Sequence, residues 1–228
     1  MFFIKSLSFD FPTTYCIGKD NKQLVLCFVF TMDNIIYINL EKRVDRREHI
    51  ENELNKFQLN FERFEAIYND SGILGCTKSH LEVLKLAKKQ GWKSVLILED
   101  DFTFLVSREE FEYEITQLLN SKVDYDVCML AYNLTESEVS NYDFLLKVRE
   151  AQTASAYIVK DHYYDVIINL YEEAVQLLGQ TGEHWNYAND QCWKSLQRKD
   201  NWICTKTRIG KQIAGYSDNT CSYTDYNC

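Results

Sequence analysis

Three carboxylates in a row, Glu99-Asp100-Asp101, directly follow the apolar run from Val95 to Leu98. The run predicts a buried strand, and ligands of open α/β sheets bind beyond the carboxyl ends of the strands. Because side chains alternate along a strand, Glu99 and Asp101 should point the same way. Acids this close repel one another, and Mg²⁺ and Mn²⁺ prefer carboxylate oxygens. The sequence therefore predicts a divalent metal site at Glu99, Asp100 and Asp101, with positions open to a substrate diphosphate.

Other interpretations of the acidic segment stay open at this point. A solvated acidic turn has the same composition, and paired acids at strand ends also occur in receiver domains and phosphatases. A metal-dependent phosphohydrolase or phosphotransfer domain would need a nucleophilic Asp at another strand end, followed by a loop Lys or Thr, and the sequence offers no clean candidate. A non-catalytic sugar-binding relative is a further alternative, against which the intact acidic cluster argues.

Two further segments have the residue types of an anion site. The run that ends in Asn39-Leu40 leads into Arg43 and Arg46, and arginine offers planar, bidentate donors to phosphate. Ser79 and His80 lie near a predicted helix start, where free N–H groups favour anions. A solvated helix start explains the arginines equally well, and a lone histidine is more often structural.

Near the end of the chain, Asp190 follows an aromatic stretch that contains Trp185 and Tyr187. Aromatic rings commonly pack on sugar faces, and a carboxylate beside them could act as a general base. The plain alternative for Asp190 is a helix cap. A polar segment with Gln212 and Asp218 comes later.

Hydrophobic periodicity from Asn34 onward predicts alternating strands and helices, hence an α/β fold with a mainly parallel sheet and helices on both faces. The predicted strands are Ile35–Leu40, Phe61–Ile67, Ser94–Leu98, Asp126–Leu130 and Ala154–Val159. Five helices are predicted. The first contains Ile50, Leu54 and Phe57, and the second runs from Thr77 or Ser79 to Gly91 after a loop at Gly72–Cys76. The third contains Phe111, Ile115, Leu118 and Leu119, and the last two span Tyr164–Leu178 and Asp190–Gln197.

Length and composition narrow the protein class. The chain has 228 residues, 46% of them hydrophobic, which suits one domain with a real core. A net charge of -9 argues against nucleic acid as the main partner. We expect no transmembrane segment, no signal peptide, a cytoplasmic location and mostly buried or free thiols among the eight cysteines. Residues 1–31 are predicted to be an N-terminal extension before a functional domain at 32–228.

The ordered set of segments resembles glycosyltransferase family 25, which includes bacterial lipooligosaccharide galactosyltransferases, collagen galactosyltransferases and relatives in giant DNA viruses. The resemblance extends from about Asn34 to Asn219, although each fragment alone is weakly specific. The matching fragments are Ile38-Asn39-Leu40 with Arg43 and Asp45-Arg46, Phe64-Glu65-Ala66-Ile67, Gly75-Cys76 with Ser79-His80, Leu98-Glu99-Asp100-Asp101, Asp126-Val127 to Leu130, Ala156-Tyr157, and Gln212 with Tyr216-Ser217-Asp218.

The resemblance implies a GT-A type nucleotide-diphospho-sugar transferase fold, a UDP-sugar donor, often UDP-galactose, and a divalent ion, often Mn²⁺. It also implies inverting transfer to a glycan or glycoprotein, as in lipopolysaccharide biosynthesis or protein glycosylation. Collagen is a doubtful acceptor for so short a chain, and a host-cell or virion location would follow if the chain is viral. We expect Asp190 to be the base, with Asp218 as the second candidate or a metal ligand. The expected donor-binding residues are Asn39, Leu40, Arg43, Arg46, Ser79, His80, Asp100 and Gln212.

Overall fold

The computed structural model describes residues 32, 34–217 and 222–224, in which strands and helices alternate along most of the chain. The strands are Ile35–Asn39 (β1), Glu62–Glu65 (β2), Ser94–Glu99 (β3), Phe102–Phe104 (β4), Val127–Val139 (β5), Leu145–Lys160 (β6), Trp202–Thr205 (β7), Gly210–Gln212 (β8), Gly215–Ser217 (β9) and Ser222–Thr224 (β10). The helices are Val44–Lys56 (α1), Gly72–Gln90 (α2), Arg108–Asn120 (α3), Tyr164–Thr181 (α4), His184–Tyr187 (α5), Asn189–Cys192 (α6) and Lys194–Gln197 (α7), with a 3₁₀ turn at Asp161–Tyr163. The predicted extension at 1–31 lies outside the described residues, so the boundary at Met32 stays a proposal.

The central sheet has six strands in the order β2-β1-β3-β6-β5-β7. Strand β1 pairs parallel with β2 and β3, and β5 pairs parallel with β7. Strand β6 is antiparallel to β3, β5 and β7, so it alone runs against the other five. The predicted α/β class with a mainly parallel sheet is confirmed.

Helices cover both faces of this sheet because the strands are apolar on both sides. Ile36 and Ile38 of β1 join the main core with apolar residues of α2 and α4. Between them, Tyr37 points to the other face, where its hydroxyl donates to Glu51 of α1. Both β1 and the middle of β3 are buried along their lengths, as the predicted continuous apolar runs require.

The paired strands β5 and β6 are much longer than the predicted runs at Asp126–Leu130 and Ala154–Val159. The outer part of β5 is mostly exposed and polar, so it lacks the apolar pattern from which a strand is predicted. Cross-strand pairing holds this part, for example the ion pair of Arg149 with Glu138. Periodicity found the buried core of the two strands and missed their solvated extensions.

Helix α2 begins earlier than predicted. The expected loop at Gly72–Cys76 is wrong, because those residues form the first turns of the helix. Ser71 is the N-cap, and neither Thr77 nor Ser79 has that role, since their hydroxyls donate to carbonyls one turn earlier in the helix. Gly91 ends α2 with a left-handed φ of 69°, as predicted.

The single helix predicted at Asp190–Gln197 is also wrong. The chain forms α6 and α7, with Trp193 between them, and Ala188 rather than Asp190 is the N-cap of α6. Trp193 is fully buried, and its indole N–H donates to the carbonyl of Ala151 on β6. This tertiary contact is absent from local sequence patterns.

Two simpler expectations agree with the described residues. Their cysteines, Cys76, Cys128, Cys192 and Cys204, are all free, and two of them are buried. No helix in the described part of the chain combines the length and apolar character needed to cross a membrane.

Candidate active site

A cleft with a volume of about 800 Å³ opens beyond the carboxyl ends of β1 and β3. The loops after β1, β2 and β3, the start of α2, the middle of β6 and helices α5 and α6 contribute to its lining. Among the predicted site residues, the lining includes Leu40, Arg43, Arg46, His80, Glu99, Asp100, Asp101, Asp190 and Gln212. The fold thus brings residues from both ends of the described chain to one site.

The acidic cluster lies inside the molecule rather than in bulk water. Glu99 is the last residue of β3, and Asp100 and Asp101 occupy the following turn, 8% and 6% exposed. Because β1 and β3 are parallel neighbours, Asn39 at the end of β1 reaches Asp100, and its Nδ2 donates to Oδ2 at 2.7 Å. Asn39, expected to bind the donor, therefore lies beside the acidic cluster, but it is buried and is not part of the cleft lining.

Arg46 of α1, which was expected to bind donor nucleotide or phosphate, is bonded to two of the carboxylates. Its guanidinium donates to Asp100 Oδ1 at 3.0 Å and to Asp101 Oδ2 at 2.9 Å. Charge-assisted bonds of this kind orient both acids, and Arg46 still borders the cleft. Arg43 also borders the cleft and forms an ion pair with Asp45, Nη2 to Oδ2 at 2.8 Å.

Gln212 joins the acidic cluster from the far end of the described chain. Strands β4 and β8 pair so that Gln212 lies opposite Phe102, the residue after Asp101. Its Nε2 donates to Glu99 Oε2 at 3.1 Å and to Asp101 Oδ1 at 3.3 Å. Both acids therefore face one amide, in agreement with the prediction that they point the same way.

The surroundings of the three acids shift their pKa values in different directions. Burial, followed by the charge of Glu99, raises the pKa of Asp101 to about 7. Burial also raises the pKa of Asp100 above its ordinary value. Burial acts in the same direction on Glu99, but the hydrogen bond and charge of His80 bring the pKa of Glu99 below its ordinary value. Glu99 is thus the most readily ionised member of the cluster.

The donor set of this cluster fits a hard divalent cation. Within the described residues, Asp100 and Asp101 share the guanidinium of Arg46, while Glu99 accepts from Gln212 and contacts His80 Nε2. Carboxylate oxygens are the ligands that Mn²⁺ and Mg²⁺ prefer. Asp101 with a pKa raised to about 7 is an acid that a bound cation would bring into its ionised form.

His80 supports Glu99 from the interior. Its side chain is fully buried, with Nε2 at 3.1 Å from Glu99 Oε1 and Nδ1 at 2.9 Å from the Tyr157 hydroxyl. Cys76, one helical turn before His80, donates to the same Glu99 oxygen at 3.7 Å. Burial and the carboxylate of Glu99 raise the pKa of the Cys76 thiol well above its ordinary value. Sequence reasoning gave Cys76 no role; its spacing of four residues from His80 on a helix was the available signal.

Ser79 holds the framework and does not line the cleft. Its buried hydroxyl donates to the carbonyl of Gly75 at 2.7 Å and accepts from the Ile67 N–H at 2.8 Å. A Cβ on Gly75 would lie 2.6 Å from the Ile67 carbonyl oxygen, so only glycine permits this approach. Ser79 was expected to contact the sugar donor directly. In the structure it instead fixes the loop after β2 against α2.

Asp190 lines the other part of the cleft. Its Oδ2 accepts from the Thr153 N–H at 3.1 Å, and its Oδ1 accepts from Gln191 Nε2 at 3.2 Å. Burial raises the pKa of Asp190 above its ordinary value. Thr153 has a left-handed φ of 83°, a strained conformation that aims its N–H at this carboxylate. Asp218, the second base candidate, lies outside the described residues.

Two exposed aromatic side chains border the cleft. Tyr68, on the loop after β2, is 65% exposed and has the ammonium group of Lys42 at 5.4 Å from its ring centre. Trp185 of α5 is 62% exposed. Sequence reasoning noted Trp185 among the aromatics before Asp190 and missed Tyr68, which has no distinguishing local pattern.

One family model and one known protein are similar to this sequence. Residues 32–72 match the family model "Glycosyltransferase family 25 (LPS biosynthesis protein)". A "Glycosyltransferase 25 family member" of Drosophila pseudoobscura pseudoobscura is 30% identical over an alignment of 128 residues, covering 42% of this chain and 20% of the relative. The chain thus spans about a fifth of the length of that relative.

Two solved structures show weak likeness. A glycosyltransferase involved in the glycosylation of the major capsid of PBCV-1 has a TM-score of 0.48 and 11% identity, over 82% of this chain and 95% of the other. The glycosyltransferase GlyE of Streptococcus pneumoniae TIGR4 has a TM-score of 0.47 and 9% identity, over 76% of this chain and 45% of the other. Because both TM-scores are below 0.5, these two structures add no evidence about the fold beyond the sheet topology described above.

The described sheet, with one reversed strand among parallel ones and a cleft at the strand ends, is the GT-A type arrangement that the resemblance implied. The family match covers β1, α1, β2 and the first residue of α2, which form one side of the cleft. Because both sequence matches name the same family, the predicted resemblance to glycosyltransferase family 25 is confirmed over the matched residues.

Proposed function

We propose that this chain is a metal-dependent glycosyltransferase that moves a hexose, with galactose as the first candidate, from a UDP-sugar to a hydroxyl group of a glycan or glycoprotein, with inversion at the anomeric carbon. The observation that carries the proposal is the composition of one cleft. It holds a carboxylate cluster suited to a divalent ion and, separately, the half-buried carboxylate Asp190. The domain that performs the reaction is proposed to be residues 32–228.

The metal proposal assigns a role to each acid. Asp101, with Glu99 and Asp100, would hold Mn²⁺ or Mg²⁺, and such an ion neutralises charge on the departing nucleoside diphosphate as a Lewis acid. Arg46 keeps Asp100 and Asp101 oriented through its two hydrogen bonds. An acidic cleft would otherwise repel the doubly anionic diphosphate of the donor.

The remaining polar residues orient the donor or its ligands. Arg43 and Leu40 line the cleft beside the end of β1 and are proposed to contact the nucleotide. Asn39 and His80 act indirectly in this proposal, by holding the side chains of Asp100 and Glu99 through hydrogen bonds. Gln212 fixes the separation of Glu99 and Asp101. The expected donor-binding role of Ser79 becomes a framework role in this proposal.

Asp190 is proposed to be the general base. Its carboxylate would take the proton of the acceptor hydroxyl while that oxygen attacks the anomeric carbon from the face opposite the leaving group. A raised pKa suits this role, since a base is most effective when its pKa approaches the working pH. The Thr153 N–H holds the carboxylate in place. Asp218 stays the second candidate for this role or for a metal ligand.

The proposal is tested by incubating the full-length chain with UDP- and GDP-hexoses, Mn²⁺ or Mg²⁺, and a panel of glycan and glycopeptide acceptors. We expect release of UDP that depends on both the cation and the acceptor, with a glycosylated product detected by mass spectrometry. Release of orthophosphate without sugar transfer would instead support the phosphohydrolase alternative. Donor binding without turnover of any acceptor or of water would support a non-catalytic sugar-binding protein.

A further inference from the structure

A second group of potential metal ligands lies in the cleft beside the acidic cluster. Cys76, His80 and Glu99 each offer one ligand atom, and these three atoms lie within 4.8 Å of one another. Glu99 Oε1 is 3.7 Å from Cys76 Sγ and 3.1 Å from His80 Nε2. All three residues line the cleft. We name this group the thiol triad.

Two of the three spacings in the thiol triad are close to the edges of a small tetrahedron, and the third is no longer than 4.8 Å. Zinc sites have bonds of about 2.3 Å to sulfur and about 2.0 Å to nitrogen or oxygen, so ligand atoms of a tetrahedral site lie roughly 3.3–3.6 Å apart. The two separations from Glu99 Oε1 bracket this range. An ion could therefore be accommodated by small side-chain adjustments, without movement of α2 or β3.

The protein already orients two of the ligands. Cys76 and His80 are one turn apart on α2, a helix of 19 residues that is tied to the loop after β2 by the bond from the Ile67 N–H to Ser79 Oγ. The Tyr157 hydroxyl meets His80 Nδ1 at 2.9 Å, which leaves Nε2 directed at Glu99. Metal-binding histidines commonly have such a partner on the second ring nitrogen. Asn189 Nδ2 approaches Cys76 Sγ at 3.9 Å from α6.

The chemistry of the thiol triad differs from that of Asp100 and Asp101. Thiolate and imidazole favour zinc and related thiophilic ions, whereas carboxylate oxygens favour Mg²⁺ and Mn²⁺. We propose that Cys76, His80 and Glu99 form a Zn²⁺ site in the cleft, with a fourth position open to a solvent or substrate atom. As the ion binds, the Cys76 thiol proton leaves to solvent. The proton on His80 Nε2 leaves to solvent or shifts to Nδ1, where the Tyr157 hydroxyl accepts from it.

The thiol triad and the acidic cluster share one residue, Glu99. Glu99 Oε1 faces the thiol triad, while Oε2 accepts from Gln212, which also holds Asp101. Zinc bound through Glu99 would draw this carboxylate away from a hard cation at the acidic cluster. Zinc should therefore inhibit sugar transfer; this consequence rests on the proposed function, whereas zinc binding itself does not.

Binding is tested by titrating the reduced, metal-free full-length chain with Co²⁺ and then with Zn²⁺. We expect a cobalt–thiolate charge-transfer band in the near ultraviolet, which one equivalent of Zn²⁺ abolishes. Cys76→Ser and His80→Gln should lose the band and weaken Zn²⁺ binding at least about tenfold in competition with a chromophoric chelator. The matched control is Cys192→Ser, which removes another half-buried thiol, in α6, and should keep both properties.

Circular dichroism and thermal unfolding check that each variant folds, and Cys76→Ala replaces Cys76→Ser if the latter does not. Absence of a thiolate band in the wild-type chain, or a band that survives in folded Cys76 and His80 variants, overturns the proposal. The inhibition is measured separately, as the transfer rate with Zn²⁺ divided by the rate of the same variant without it. A chain that binds zinc through Cys76 but transfers no sugar would refute the proposed function and leave the zinc site standing.

Discussion

The two sides of the cleft hold their polar residues in different ways. On the side built by β1, α1, the start of α2 and β3, which we call the strand-end side, side chains bond to one another, as Asn39 does to Asp100 and His80 to Glu99. On the side built by β6, α5 and α6, which we call the helical side, Asp190 is held by the Thr153 backbone and the adjacent Gln191. Trp185 there is largely exposed.

This difference indicates that the two sides of the cleft suit different substrates of the proposed reaction. A network of mutually bonded side chains is preorganised, which suits a constant ligand such as a metal-bound diphosphate. The helical side consists of a strained strand residue and two helices of four residues each, and its carboxylate Asp190 is held mainly by backbone and a neighbouring side chain. We infer that the strand-end side recognises the donor and the helical side selects the acceptor. The following predictions test that comparison.

The largest effect is expected at Asp101. Asp101→Asn should lower metal-dependent transfer at least about a hundredfold, because it removes a charged cation ligand in a water-poor site. The melting temperature should stay unchanged or rise, since the substitution relieves repulsion from Glu99. Initial rates across a Mn²⁺ titration, together with thermal unfolding, provide the measurement. Full activity in this variant would refute the metal assignment.

A similarly large effect, of a different kind, is expected at Asp190. Asp190→Asn should lower kcat by about 10²–10⁴, the usual contribution of a general base, and leave donor affinity nearly unchanged. Turnover and donor Kd are measured side by side, the latter by calorimetry with a UDP-sugar and Mn²⁺. If donor affinity falls as much as kcat, Asp190 belongs to the donor site and the division between the two sides fails.

A stability effect is expected at Gly75, which supports the strand-end side. Gly75→Ala should destabilise the protein by about 1–3 kcal/mol, because the new Cβ would lie 2.6 Å from the Ile67 carbonyl oxygen. Gly179→Ala in α4 is the matched control: its nearest neighbour is the Leu74 side chain at 3.8 Å, and alanine there should stabilise by about 0.5–1 kcal/mol. Denaturant unfolding distinguishes the two, and equal effects would contradict the close approach at Gly75.

The smallest effect is expected at Trp185. Trp185→Ala should raise the acceptor KM by roughly tenfold or less, about 1.4 kcal/mol, with little change in donor KM or stability. Tyr113→Ala is the control, since Tyr113 is equally exposed, at 63%, and does not line the cleft. Steady-state kinetics with each substrate varied in turn gives both constants. A change confined to donor KM would place Trp185 on the donor side.

Local patterns predicted the strand-end side better than the helical side. Continuous apolar runs marked β1 and β3, and a run that ends in three acids marks the end of a strand without knowledge of the fold. The division of Asp190–Gln197 into α6 and α7 was not predictable, because it depends on Trp193 packing under β6. The start of α2 was missed for a related reason: two glycines weaken the local helix signal, and Ile67, outside the helix, supplies the contact that fixes Gly75.

The sequence by itself determined which residues carry charge at the strand ends, because strand patterning is local and the acids directly follow it. Only the tertiary structure decided their partners. Arg46, expected to meet phosphate, donates to Asp100 and Asp101, and Gln212 reaches Glu99 across 113 positions of sequence. The same holds for Cys76, which becomes a candidate ligand because α2 packs its thiol against Glu99 of β3. Such pairings depend on distances between elements, and local patterns contain no information about those distances.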